Sequence, residues 1–102
     1  MNIMDLFRVD GCAAVVTGSG RGIGRGIAIA LAEAGADVVV TSRRAPDVAE
    51  VAECVRARGR RALEVPGDLR DPDMPGRLAQ LAIDEWGRLD IWVNNAGGTD
   101  DA

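Results

Sequence analysis

The chain has 102 residues, 47% of them hydrophobic, and a formal net charge of −4. That length suits one small soluble unit, which buries only about 60–65% of its unfolded surface. The acidic balance and the lack of a basic tract exclude a general attraction for nucleic acid or anionic membranes. No apolar run approaches the roughly 18 residues of a membrane span, and Met1–Asp10 lacks an apolar signal core, so a cytoplasmic location is expected.

Missing residue types restrict the chemistry further. The sequence has no histidine and no tyrosine, and since it also lacks lysine, its 12 basic residues are all arginine. Arginine stays protonated, so the usual proton-transfer groups near neutral pH are absent. Cys12 and Cys54 are expected to be reduced structural thiols, and without histidine a zinc site is not expected.

The chain alternates predicted strands and helices. Helical spacing of apolar residues indicates helices that end at Gly35, Gly59 and Gly87. The predicted elements are, in order, strand Cys12–Thr17, a helix from about Gly22, strand Val38–Ser42, a helix with Pro46 in its first turn, strand Ala62–Val65, a helix opened by Asp71-Pro72 and weakened by Pro75-Gly76, and strand Asp90–Asn94. This alternation predicts a parallel sheet of strand order 3-2-1-4, with a ligand crevice where strands one and four end.

A glycine-rich turn, residues 17–24, joins the first strand to the first helix. Its glycines do not fit the spacing G-x-G-x-x-G, but they fit T-G-x-x-x-G-x-G at Thr17, Gly18, Gly22 and Gly24. Free N–H groups at a helix start bind anions, and glycine lets a pyrophosphate approach the backbone. The turn therefore predicts phosphate binding, and the alternative is a glycine turn required for steric reasons alone.

Two further motifs follow later strands: Asp68-Leu69 comes after the third strand, and Asn94-Asn95-Ala96-Gly97 comes after the fourth. With the glycine turn, they resemble the nucleotide-binding half of the short-chain dehydrogenase/reductase family, over about residues 10–98. The resemblance implies an α/β, Rossmann-like doubly wound parallel sheet. Residues 1–102 would form a single NAD(P)-binding domain, truncated after its fourth strand.

The resemblance also implies roles for individual residues. The phosphates would be lined by Gly18, Ser19, Arg21 and Ile23, and the backbone would approach them closely at Gly22 and Gly24. Asp68 would accept a hydrogen bond from the adenine amino group, and Leu69 would cover the adenine ring. The ribose nearer the nicotinamide would be flanked by Asn95, Ala96 and Gly97, and Asn94 would brace the sheet. Two alternatives stay open. Asp68 could simply cap the turn into the third helix, and residues 95–97 could be only a strand-ending turn.

The end of the second strand bears on the choice of dinucleotide. A site that selects NAD places an acid there, where it bonds the ribose 2′-hydroxyl and repels a 2′-phosphate. Ser42 occupies that position, Arg43 follows it, and Arg21 can approach the same phosphate from the glycine turn. Asp37 lies at the other end of the strand, and Arg44 could equally be solvated. NADP(H) is therefore the expected cofactor, in preference to NAD.

The family's catalytic Ser and its Tyr-x-x-x-Lys pair have no counterpart in this sequence, so no catalytic residue is predicted and that chemistry is not expected of this polypeptide alone. The apolar fourth strand predicts a bare sheet edge, which implies a missing C-terminal half, self-association or poor solubility. Three functions stay open: an NADP(H)-dependent oxidoreductase of carbonyls or alcohols, present as its cofactor-binding half; a non-catalytic dinucleotide-binding module; and an inactive truncated fragment.

Overall fold

The computed structural model describes residues 9–95, which form a four-stranded parallel sheet and three helices. The elements are β1 (Ala13–Val16), α1 (Gly22–Glu33), β2 (Asp37–Val40), α2 (Ala45–Ala57), β3 (Ala62–Glu64), α3 (Met74–Trp86) and β4 (Ile91–Val93). The strand order is β3-β2-β1-β4, and all neighbouring strands are parallel. The predicted fold class and strand order are confirmed.

The helices divide between the two faces of the sheet. Val16, Val38 and Val40 pack with α1 and α2 in one core. Val15 and Val39 point to the opposite face and pack with α3. All of these valines are fully buried, which explains why the central strands read as uninterrupted apolar runs rather than as alternating ones.

The third helix begins later than predicted. Asp71 belongs to a turn, because its Oδ1 accepts the Asp73 N–H at 3.0 Å and its carbonyl accepts the Met74 N–H at 3.0 Å. Helix α3 then starts at Met74 with Pro75 in its first turn. Proline is tolerated there because the first N–H groups of a helix have no partner within the helix. Pro75 is therefore part of the helix start and does not weaken it.

Strand β4 retains exposed apolar surface. Within residues 9–95 it pairs with β1 alone, and Trp92 lies beside Val15, on the face of the sheet that α3 covers over β1. Trp92 is nevertheless 40% exposed. The structure thus has the bare surface predicted for this strand, whereas what covers it stays a prediction. No helix among the described residues is both long and apolar enough to span a bilayer.

Candidate functional site

The glycine turn lies where β1 ends and α1 begins. Gly18 and Gly22 both have a φ of 63°, in the left-handed region where a residue with a Cβ is strained. Gly24 is required for a different reason, since a Cβ there would lie 2.6 Å from Asn95 Nδ2 and 2.9 Å from the Gly18 carbonyl carbon. The glycines of the predicted fingerprint therefore shape the turn itself, whether or not a phosphate also needs them.

Within residues 9–95, no side chain caps the first turn of α1. Arg21 stands at the N-cap position and makes no capping hydrogen bond, and the first turn contains no acidic residue. The first N–H groups of the helix and the partial positive charge of its end are therefore left for an external anion. Ile23, in the same turn, is 77% exposed. Such an end fits a ligand that has both a phosphate and an apolar part.

Ser19 lies in the turn, but its hydroxyl bonds the end of β2. Its Oγ accepts the Thr41 N–H at 2.9 Å and lies 3.2 Å from the Thr41 carbonyl oxygen, to which it donates. The Ser19 N–H also donates to that carbonyl, at 2.9 Å, and the residue is fully buried. A phosphate contact by Ser19 stays a prediction, and its hydroxyl already serves the sheet.

Thr17 joins the turn to the end of β4. Its Oγ1 accepts the Asn95 N–H at 2.8 Å and lies 3.2 Å from Asn94 Oδ1. Asn95 Nδ2 in turn donates to the Gly18 carbonyl at 3.3 Å. The structure thus brings the first and third predicted motifs together, with Asn94 in the bracing position expected for it. Ala96 and Gly97 lie outside the described residues.

The end of β2 packs directly on the glycine turn. Ser42 is buried, its Oγ accepts the Arg44 N–H at 3.4 Å, and a Cβ on Gly20 would lie 2.5 Å from that oxygen. Gly20 is therefore a site residue that the fingerprint missed, and its only sequence signal is the density of glycine in the turn. Arg43 is exposed, and Arg44 pairs with Asp47 at 3.3 Å.

Asp68 follows β3 and is held by Arg70, a residue that sequence reasoning missed. Arg70 Nη2 donates to Asp68 Oδ2 at 2.8 Å, and the Arg70 N–H donates to Oδ1 at 2.9 Å. These hydrogen bonds, together with the positive charges of Arg70 and Arg43, lower the pKa of Asp68 to about 2. Asp68 thus accepts a hydrogen bond within its own turn, its contact with adenine stays a prediction, and Leu69 packs against the α3 core.

Asp37 lies at the opposite, amino end of β2. Its carboxylate is buried and accepts the Arg61 N–H at 2.8 Å and Arg61 Nη2 at 2.7 Å, while Arg60 Nη2 lies 3.2 Å away. Burial tends to raise the pKa of Asp37, but the hydrogen bonds from Arg61 and the charge of Arg60 outweigh it and leave the pKa below its usual value. Asp37 is therefore a structural ion-pair residue, away from the crevice.

The carboxyl edge of the sheet thus offers an uncapped helix end, exposed arginines and the carboxylates of Asp47 and Asp68. Among residues 9–95, no group of His, Cys, Asp or Glu is arranged to hold a metal ion. On a doubly wound parallel sheet, these features define a candidate site of the nucleotide-binding class. The site can bind phosphate through backbone N–H groups and guanidinium groups.

Comparison with known proteins identifies the family. The sequence model described as short chain dehydrogenase matches residues 12–102, and the chain belongs to the short-chain dehydrogenase family. An uncharacterized oxidoreductase of Mycobacterium tuberculosis is 52% identical over 97 residues, covering 95% of this chain and 37% of that protein. A versicolorin reductase of Emericella nidulans is 42% identical over 98 residues, covering 95% of this chain and 37% of that protein. The chain therefore spans about 37% of the length of these curated relatives.

Solved structures agree with this assignment. A 7α-hydroxysteroid dehydrogenase in complex with NADH and 7-oxo glycochenodeoxycholic acid has a TM-score of 0.88 at 41% identity, covering 96% of this chain and 38% of that chain. A hydroxysteroid dehydrogenase from Escherichia coli has a TM-score of 0.85 at 41% identity, covering 92% and 38%. In both comparisons, the similarity extends over 38% of the solved chain.

Proposed function

We propose that this chain is the NADP(H)-binding half of a cytoplasmic oxidoreductase that acts on a carbonyl or an alcohol, with residues 1–102 as one incomplete NAD(P)-binding domain. The observation that supports it best is the uncapped start of α1 beside Ser42 and Arg43 at the end of β2. The relatives described as an oxidoreductase and a versicolorin reductase support the reaction class.

Such a cofactor would contact the chain in three places. The first-turn N–H groups of α1 would hold the diphosphate, with Arg21 and the exposed Ile23 beside it. Asp68 and Leu69 would hold the adenine, and Asn95, followed by residues 96 and 97, would flank the second ribose. The bound nicotinamide supplies or accepts the hydride, and the protein groups named here bind and orient it.

The preference for NADP follows from charge. Ser42 stands where an acid would repel a 2′-phosphate, and Arg43 beside it is exposed. A charge-assisted hydrogen bond to phosphate contributes about 1.5–3 kcal/mol, which corresponds to a preference of roughly tenfold to a hundredfold. Since one related structure is a complex with NADH, the preference for NADP is the part of the proposal that most needs a test.

Calorimetric titration of the chain with NADP and with NAD provides that test. Arg43→Ala is expected to weaken NADP binding by roughly tenfold to a hundredfold while NAD binding is unchanged, and Ser42→Asp is expected to shift the preference toward NAD. Arg44→Ala is the matched control, because it removes the same charge from the adjacent position, where the guanidinium pairs with Asp47 at 3.3 Å. If Arg43→Ala weakens both dinucleotides equally, the assignment to NADP is wrong.

The second candidate function is a dinucleotide-binding module without catalysis. It is favoured because the sequence contains no tyrosine and no lysine, the two residue types of the family's Tyr-x-x-x-Lys pair. NADP binding by the purified chain without NADPH oxidation in the presence of carbonyl compounds supports this module. A reading frame that continues into a Tyr-x-x-x-Lys segment supports the oxidoreductase.

The exposed Trp92 on β4 supports a further part of the proposal, that a C-terminal half covers this strand in the complete protein. Self-association of the chain through the same edge is the alternative. Sedimentation of the chain distinguishes them, because concentration-dependent dimers that Trp92→Gln abolishes would indicate self-association.

A further inference from the structure

The ends of β2 and β3 lie side by side, because the Gly67 N–H donates to the Ser42 carbonyl at 2.9 Å. Arg43 and Asp68 follow these two residues along the chain, on the same edge of the sheet. Arg70 Nε and Nη2 donate to Asp68 Oδ2 at 3.1 and 2.8 Å, and the Arg70 backbone N–H donates to Oδ1 at 2.9 Å. Arg43 also lowers the pKa of Asp68 through its charge, after the larger effect of the Arg70 hydrogen bonds. One carboxylate therefore lies within electrostatic range of two guanidinium groups.

Asp68 conflicts with a 2′-phosphate bound at Arg43. An ionised carboxylate attracts the guanidinium that the phosphate needs, and it repels the phosphate itself. The Asp68 side chain is 41% exposed, so water and salt screen this repulsion only in part. An additional cation fixed on Asp68 would remove most of the repulsion.

We propose that Arg70 is a positioning residue that determines cofactor specificity: its two-point ion pair neutralises Asp68 beside Arg43 and so permits a 2′-phosphate there. This inference rests on the NADP(H) function proposed above. Arg70 acts through Asp68 and does not itself contact the phosphate. NAD brings no negative charge to Arg43, so NAD binding depends little on Arg70. The local geometry favours the pair, because the backbone of Arg70 bonds the same carboxylate.

The experiment compares the dissociation constants of NADP and NAD for the wild-type chain and for Arg70→Gln. Arg70→Gln is expected to weaken NADP binding by roughly twofold to fivefold more than it weakens NAD binding. Arg88→Gln is the matched control. Arg88 makes the same two-point pair with Asp90, at 2.7 and 2.8 Å, but it precedes β4 at the other edge of the sheet. Arg88→Gln should leave the dissociation constants of NADP and NAD unchanged.

A second substitution separates charge from structure. Adding Asp68→Asn to Arg70→Gln removes the uncompensated carboxylate, and the ratio of the NADP and NAD dissociation constants is expected to return to the wild-type value. The ratio is the correct readout, because loss of an adenine contact weakens both dinucleotides alike. Circular dichroism checks that the variants are folded. We expect Arg70→Gln to fold, because Arg70 is exposed and its replacement leaves the core intact.

The outcomes distinguish this inference from the function on which it rests. If the wild-type chain prefers NADP and Arg70→Gln does not change the ratio, Arg70 has no role in specificity and the proposed function stands. If the ratio of the NADP dissociation constant to the NAD dissociation constant rises in Arg70→Gln but Asp68→Asn does not restore it, the action through Asp68 is wrong. If the wild-type chain binds neither dinucleotide, the proposed function fails and this inference fails with it.

Discussion

Replacing Gly24 with alanine places a methyl group in space that the glycine turn already fills. The new Cβ would lie 2.6 Å from Asn95 Nδ2 and 2.9 Å from the Gly18 carbonyl carbon, which is backbone and cannot rotate away. Overpacking costs about 1–3 kcal/mol, whereas alanine gains about 1 kcal/mol over glycine inside a helix. Because the clash is with backbone, the upper part of the overpacking range applies, about 2–3 kcal/mol. The expected net loss is then on the order of 1–2 kcal/mol in the free energy of unfolding, which lowers Tm by roughly 4–16 °C.

Gly26 provides the matched control, because it lies in the same helix and has nothing within 4 Å of a built Cβ. Gly26→Ala is expected to raise the free energy of unfolding by about 0.5–1 kcal/mol. Urea unfolding measures both changes, and a thermal shift with added NADP shows whether each variant retains the site. If Gly24→Ala is as stable as Gly26→Ala, the close packing of α1 on the turn is wrong.

Two further substitutions test contacts that hold the sheet. Ser19→Ala leaves the buried Thr41 N–H without its acceptor, so urea unfolding should show a loss of about 1–3 kcal/mol, and an unchanged midpoint would contradict the contact. Asp37→Asn should cost a similar amount, about 1–3 kcal/mol. Because the folded-state pKa of Asp37 is lowered from 3.8, its stabilisation is present above that pH and is lost as the pH falls through the folded value. Acid should therefore destabilise the wild type more than Asp37→Asn, and equal acid sensitivity would contradict this account.

Sequence patterns predicted the fold because they reflect strong, repeated physical constraints. Central strands buried on both faces must be apolar throughout, as in Val38–Val40, and the glycines that end helices mark their C-termini. The start of α3 could not be predicted from composition. Asp71-Pro72 has the composition of a helix start, but Asp71 is used in a turn and the helix starts at Met74.

The site was predicted less completely than the fold, because spacing indicates which backbone segments meet but not how their side chains pair. Ser19 bonds Thr41, 22 positions away, and only the folded sheet brings them together. Arg70 is near Asp68 in sequence, but an arginine two positions from an aspartate is also common on a solvated surface. Its pairing with the carboxylate bears on the site because the fold places the end of β2, with Arg43, beside Asp68, and no sequence pattern indicates this.

The hydrogen bond from Asn95 to Thr17 joins residues 78 positions apart, whereas β1 pairs with β2 through the much closer Ala13 and Asp37. Longer loops cost more entropy to close, by about 0.6 kcal/mol for each doubling of length. Loop closure alone therefore makes the β1–β4 junction about 1 kcal/mol more costly to form than the β1–β2 pair. The crevice is therefore complete only when the segment around Asn95, far along the chain, has joined the glycine turn.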